Sequence, residues 1–303
     1  MRTLGIIFAI VFSVNVIQGQ SILLLTQSDR YQTLINPASL HSDFLQSEAE
    51  YTFGISYKNQ FTEISDPDNA FIASIDYIRH TERKFDLKFG LDLVSDNQVP
   101  IRNTRIVGRV ASVLSDDPFF GSFAIGFSFG LNNMGIDESK LRLLQLENVS
   151  GYANGIKGTY GLGLFWHKQF PNGNGLSTGL SVPFLESMVS TKEYVELPTV
   201  IWRMTYQLYF SEATYVEATS WIKGNQNGDV DIDLYATLYW NNLVWLGMGI
   251  NDNDFLSLNV GLKIKDYINS QYIKIGLGYN VAYSNSVLVQ LGSLLELNLS
   301  TAW

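Results

Sequence analysis

The sequence predicts an all-β protein, a transmembrane antiparallel β-barrel of about 14 strands. Three observations carry that prediction. Apolar and polar residues alternate with period two along most of the chain. Charged residues make up 16% and aromatic residues 13%, which leaves less charge than the quarter or so usual in soluble domains. Beyond the N-terminal stretch, no run approaches the roughly eighteen consecutive apolar residues of a membrane-crossing helix.

The chain opens on "MRTLGIIFAIVFSVNVIQGQ", where Arg2 precedes an apolar core from Ile6 to Val14 and small or polar residues lead up to Gly19. This is the pattern of a secretory signal peptide cleaved near Gly19, and its apolar core is too short for a spanning helix. The expected organisation is residues 1–19 as signal peptide, 20–47 as an N-terminal segment, periplasmic or plug-like, and 48–303 as barrel.

The first expected strand, in "EAEYTFGISYK", places Ala49, Tyr51, Phe53, Ile55 and Tyr57 on one face. Glu50, Thr52, Gly54, Ser56 and Lys58 take the other. A less regular strand follows at 70–79. In the next, Phe85, Leu87, Phe89, Leu91 and Leu93 oppose Asp86, Lys88, Gly90 and Asp92. Strands then follow at 101–114, 123–131, 156–166, 176–184, 200–208, 213–223, 229–240, 243–250, 256–264 and 273–281. They run from about eight to fourteen residues, against the five or six common in globular sheets.

The last strand lies in "SLLELNLSTAW", where Leu295, Leu297 and Leu299 alternate with Glu296, Asn298 and Ser300 before Trp303. An amphipathic strand ending on an aromatic residue is what outer-membrane barrels present to their assembly machinery. Breaker clusters at 65–69, 95–100, 115–118, 171–175, 224–229, 251–254 and 283–286 are expected to be turns. Residues 132–155, with "ESKLRLLQLEN", form the one long interruption, expected to be a loop or lid.

A soluble sandwich would have to bury fourteen apolar faces in one very large core. A membrane barrel turns the same faces to lipid, and its closure leaves no unpaired strand edge in hydrocarbon. The barrel is the better fit, and it places the protein in an outer membrane with lipid as a partner. Fourteen strands are wide enough that side chains need not fill the lumen.

The chain contains no cysteine, which excludes a disulfide framework, a thiolate metal site, a catalytic thiol and a lipidated cysteine. A net charge of −9 without a basic cluster argues against nucleic acid as a partner. None of the three histidines, His41, His80 and His167, sits in a nucleophile or metal motif. His80 and His167 read as interfacial polar residues.

Asp229, Asp231 and Asp233 alternate, so on a strand their carboxylates stand about 6–7 Å apart, wide for one calcium ion. They are expected to line a wet interior or a strand mouth. Arg105 and Arg109 share a face, with Arg102 beside them. Charge pairing with Asp86, Lys88 and Asp92 of the preceding strand, or an anion-selective constriction, would keep the two arginines inside. No catalytic, cofactor-binding or metal-ligating residue is assigned, and no cofactor is expected. The six tryptophans need no binding role, since rings near strand ends anchor at the membrane interface.

Several stretches, in order, resemble the PorP/SprF family of outer-membrane proteins. "INPASL" (35–40) resembles that family's "NPA" stretch, and "YKNQFTEISDP" (57–67) its first hairpin, with Phe61 where a tryptophan is common. "GLSVPFL" (179–185) is similar to its glycine–strand–proline segment. "VEATSWIKGNQNGDVDIDLYATLYWNNLVWLGMGI" (216–250) resembles its run of an Asp-containing strand and a Trp-Leu-Gly strand. "KIGLGYNVAYSNSVLVQLGSLLELNLS" (274–300) resembles its last hairpin, although Leu294 and Leu295 follow the Gly-Ser pair where the family has a histidine nearby.

The resemblance implies an outer-membrane barrel of the type IX secretion system of the Bacteroidota. It implies a non-enzymatic anchor or accessory in the secretion or surface attachment of a large partner protein such as a gliding adhesin. Periplasmic secretion-system components are further implied partners. The alternative is a diffusion channel for small or hydrophobic solutes.

Overall fold

The computed structural model describes residues 31–40, 49–60, 68–80, 85–98, 101–117, 120–136, 155–186, 199–225, 228–251, 255–265, 271–282 and 293–303. Among the described residues, one helical turn, α1 (Gln32–Ile35), precedes fourteen strands. They are β1 (Tyr51–Gln60), β2 (Asp68–Arg79), β3 (Asp86–Gln98), β4 (Ile101–Asp117), β5 (Gly121–Ile136), β6 (Gly155–Gln169) and β7 (Gly175–Glu186). The ring continues with β8 (Thr199–Ser211), β9 (Thr214–Asn225), β10 (Val230–Trp240), β11 (Val244–Asn251), β12 (Phe255–Lys265), β13 (Tyr272–Ala282) and β14 (Leu294–Ala302).

Every strand pairs antiparallel with the next, and β14 returns to β1, so the barrel is closed. The closing seam runs from Thr52 opposite Ala302 to Gln60 opposite Leu294, and it sets Lys58 directly across from Glu296. Past the seam, the Trp303 N–H donates to the Tyr51 carbonyl at 3.1 Å and the Tyr51 N–H donates back at 2.9 Å. Closure pairs the edges of β1 and β14 that would otherwise face hydrocarbon.

The period-two pattern becomes two surfaces. Leu91, Ile106, Phe127, Leu162, Leu234, Leu258 and Leu297 are exposed on the outer face. Their neighbours Asp92, Arg105, Ser128, Asp233, Ser257, Glu296 and Asn298 are buried on the inner face. A surface so apolar outside and so polar inside suits a barrel with lipid around it.

At the end bearing Tyr51 and Trp303, rings stack across neighbouring strands: Trp303 on Tyr51 at 5.7 Å, Tyr51 on Tyr77 at 4.6 Å and Tyr77 on Phe89 at 6.5 Å. Connections at this end span six residues or fewer, whereas the opposite end carries 137–154 and 187–198. Short turns mark the periplasmic end of such barrels and longer connections the extracellular end. The β10–β11 turn is a tight one, with Asn241 and Asn242 at φ 50° and 52°, the left-handed pair that matches strand twist.

The structure lengthens several strands beyond the sequence expectation. Ser95–Gln98, expected in a turn, belong to β3, and 115–117 belong to β4 after a register shift between Val113 and Ser115. Residues 132–136, expected in the long loop, continue β5. The ladder explains all three: Asn97 pairs with Arg102, Asp116 with Ser122 and Asn132 with Arg105, so the backbone stays paired beyond the apolar band. The shortest strands are β11, with eight residues as expected, and β14, with nine. "ESKLRLLQLEN" lies outside the described residues.

Candidate functional site

The inner wall of the barrel is built around one four-charge cluster. Asp76 on β2, Gly90 on β3 and Arg109 on β4 form one cross-strand row. Gly90 has no side chain, and a Cβ there would fall 2.7 Å from Arg109 Cζ and 2.6 Å from Asp76 Oδ1. The guanidinium therefore lies over Gly90 and donates from Nη1 to Asp76 Oδ1 at 2.9 Å. It also grips Asp92 through both oxygens, Nε to Oδ2 at 2.5 Å and Nη2 to Oδ1 at 2.8 Å.

Lys88 completes the group at 3.3 Å from Asp76 Oδ1. The cluster balances two positive against two negative groups, all fully buried, and the planar fork of arginine suits a two-oxygen grip. A second polar network crosses β8 to β10. Arg203 approaches Glu217, Gln207 donates to Glu217 at 3.0 Å, and Lys223 pairs with Asp233.

Residues 31–40 lie against this wall, and all but Ile35 are buried. Their polar groups are matched one by one. The Tyr31 hydroxyl donates to Glu296 on β14 at 3.0 Å, and Arg203 on β8 donates to the Gln32 side chain at 2.6 Å. Thr33 donates to Asp76 at 3.5 Å, and Lys88 donates to the Ser39 carbonyl at 2.7 Å.

Asn36 bonds both ways: its Nδ2 donates to the Leu164 carbonyl on β6 at 2.9 Å, and its Oδ1 accepts from the Ala38 N–H at 3.0 Å. Tyr31 and Leu34 pack on Ile72 and Val94, with Phe184 against them, toward the extracellular end. Ala38 and Leu40 pack on Ile78, Ala124, Phe165 and Tyr272 toward the periplasmic end.

Three inward glycines make room for that segment. A Cβ on Gly126 would fall 2.3 Å from the Ala38 nitrogen, one on Gly163 1.9 Å from Asn36 Oδ1, and one on Gly179 2.6 Å from Asn36 Nδ2. Above them β7 bulges. The β6–β7 register shifts between Tyr160 and Leu162, opposite Pro183 and Phe184. Pro183 cannot donate to a ladder, so a bulge is where a strand tolerates it. Phe184 lies 4.5 Å beneath the Arg105 guanidinium.

The residues singled out from sequence fall as follows. Arg105 and Arg109 point inward, whereas Arg102 is exposed at the extracellular end. Lys88 and Asp92 join Arg109, but Asp86 instead meets His80 at 2.9 Å near the periplasmic rim. Asp233 faces inward on β10, while Asp229 sits in the preceding turn and accepts from Asn225 at 2.9 Å. No group of three potential ligands gathers among the described residues. His167 lies on β6, and His41 lies outside the described residues.

Trp221 and Trp245 depart from the interfacial expectation. Both are buried inside, with Trp221 5.4 Å from the Arg203 guanidinium and Trp245 flat over Gly261. Sequence reasoning passed over Asp76 and the glycine trio. Gly126, Gly163 and Gly179 all fall on the polar phase of otherwise apolar strands, which is the signal that would have found them.

A closed antiparallel ring with a lipid-like outside and a charge-paired inside defines an outer-membrane β-barrel. Among solved structures, the chain is similar to a TodX deltaS2S3 mutant monoaromatic hydrocarbon channel at 10% identity and TM-score 0.56, covering 89% of this chain and 93% of that one. It is also similar to the Pseudomonas putida toluene transporter TodX at 9% identity and TM-score 0.51, covering 95% and 99%. At these identities the likeness concerns the fold alone. No curated protein matches the sequence. The family model for the type IX secretion system membrane protein PorP/SprF matches residues 18–300, and the chain belongs to that family.

Proposed function

We propose that this barrel is a non-enzymatic anchor or accessory for the secretion or surface attachment of a large type IX-secreted protein, a gliding adhesin being the expected kind of partner. The observation that carries this reading is the family match across residues 18–300. The inner wall supports it: its strongest polar groups, Arg109, Asp76, Asp92 and Lys88, are engaged with one another. That arrangement serves a scaffold better than a reaction centre.

The experiment is affinity purification of the tagged protein from its native outer membrane in mild detergent, followed by mass spectrometry. A stoichiometric large secreted protein, or periplasmic components of the secretion machinery, supports the proposal. A barrel that elutes with neither contradicts it.

A further inference from the structure

Glycine weakens a strand, and inward glycines at one level mark a place where another backbone comes close. Here that backbone is Asn36–Pro37–Ala38, and Gly126 and Gly163 are direct cross-strand partners beneath it. We propose that the inner wall of β5–β7 is a peptide-binding socket whose resident ligand is the chain's own residues 31–40, and that this occupancy seals the lumen to ions.

Three observations support the seal. Tyr31 and Gln32 are adjacent in sequence, yet their side chains bond to β14 and β8, on nearly opposite walls of the fourteen-strand ring. The segment therefore bridges the lumen rather than lining one side. The wall also meets the segment's polar groups at Asp76, Lys88, Leu164, Arg203 and Glu296, spread over β2, β3, β6, β8 and β14. Finally, α1 has only four residues and is buried on nearly every side, which a turn lying in an open, water-filled pore would not be.

The socket recognises a short peptide with an asparagine amide that can bond both to a wall carbonyl and to its own backbone, followed by a proline that needs no donor partner. The seal is independent of which secreted protein the barrel serves. It also means that such a protein engages the barrel without crossing its lumen.

The test is conductance of the full-length protein in planar lipid bilayers, with its folded state checked by heat-modifiable gel migration. The wild-type barrel is expected to be silent. A folded variant lacking residues 31–40 is expected to pass stepwise current at least about tenfold above the wild-type leak, because a ring of this size is wider than side chains need fill. A synthetic peptide of residues 31–40 should close the deleted variant again, and the same peptide with Asn36→Ala should close it less.

Steady conductance by the wild type, a folded deletion as silent as the wild type, or a current untouched by the peptide would each overturn the proposal. Should the deletion fail to fold, the folded double variant Asn36→Ala, Lys88→Met is expected to open in bursts. If it stays as silent as the wild type, the proposal fails.

Discussion

Asn36 stands where a side chain on Gly163 would have to be: a Cβ built on that glycine falls 1.9 Å from the Asn36 Oδ1. The same amide holds the Leu164 carbonyl, one residue along β6, at 2.9 Å. An N-terminal residue and a mid-barrel glycine are thus fitted to each other, and the fit has consequences that can be measured.

Gly126→Ala should destabilise the barrel more than Gly163→Ala. The new methyl at 126 meets backbone, Ala38 N at 2.3 Å, which cannot turn aside, whereas at 163 it meets the end of a side chain. Overpacking of this kind costs about 1–3 kcal/mol, with Gly126→Ala expected at the upper end. Urea unfolding in detergent micelles, followed by tryptophan fluorescence, gives both values.

Arg109→Met should cost about 3–5 kcal/mol, because Asp76 and Asp92 would stay buried without their shared partner. Arg109→Lys should recover only part of the loss, since an ammonium cannot span both carboxylates as the planar fork does. Thermal loss of the heat-modifiable band ranks the three proteins.

Leu258→Arg on the outer face of β12 should destabilise by about 2–4 kcal/mol if that face meets the bilayer core. Lys265→Ala, at the periplasmic end of the same strand, should change stability by less than about 1 kcal/mol. Equal effects in unfolding from lipid vesicles would contradict the assignment of the lipid face.

The tryptophans should divide by face. Trp202, Trp240 and Trp303 are exposed on the outside, and brominated lipids should quench them in single-tryptophan variants. Trp221 and Trp245, buried at 3% and 8% exposure on the inside, should be quenched far less.

The ring of strands was legible because lipid outside and water or protein inside impose opposite demands on successive residues. Leu295, Leu297 and Leu299 against Glu296, Asn298 and Ser300 show it in six positions. Strand ends were read less well: Ser95 and Asn97 look like turn formers, yet β4 pairs with them beyond the apolar band.

The inner wall was the least legible part. Nothing local in "DYIR" tells that Asp76 will share an arginine with Asp92, because the row passes through Gly90 on the next strand to Arg109, two strands along the sequence. The seat of Asn36 is likewise a matter of register, since Gly163 and Gly179 meet it, and Gly126 meets the Pro37–Ala38 that follows, only after the β5–β6 and β6–β7 hairpins have closed. Trp221 and Trp245 looked interfacial by residue type, and only their phase within β9 and β11 sends them inward.

The proposed service to a large secreted protein at the cell surface can be tested in the native strain. The most direct test compares the cell-surface and culture-medium proteins of the native strain with those of a strain lacking this chain. The account predicts that one large secreted protein disappears from the surface and returns when the gene is restored. A surface and medium profile that does not change on deletion would contradict it.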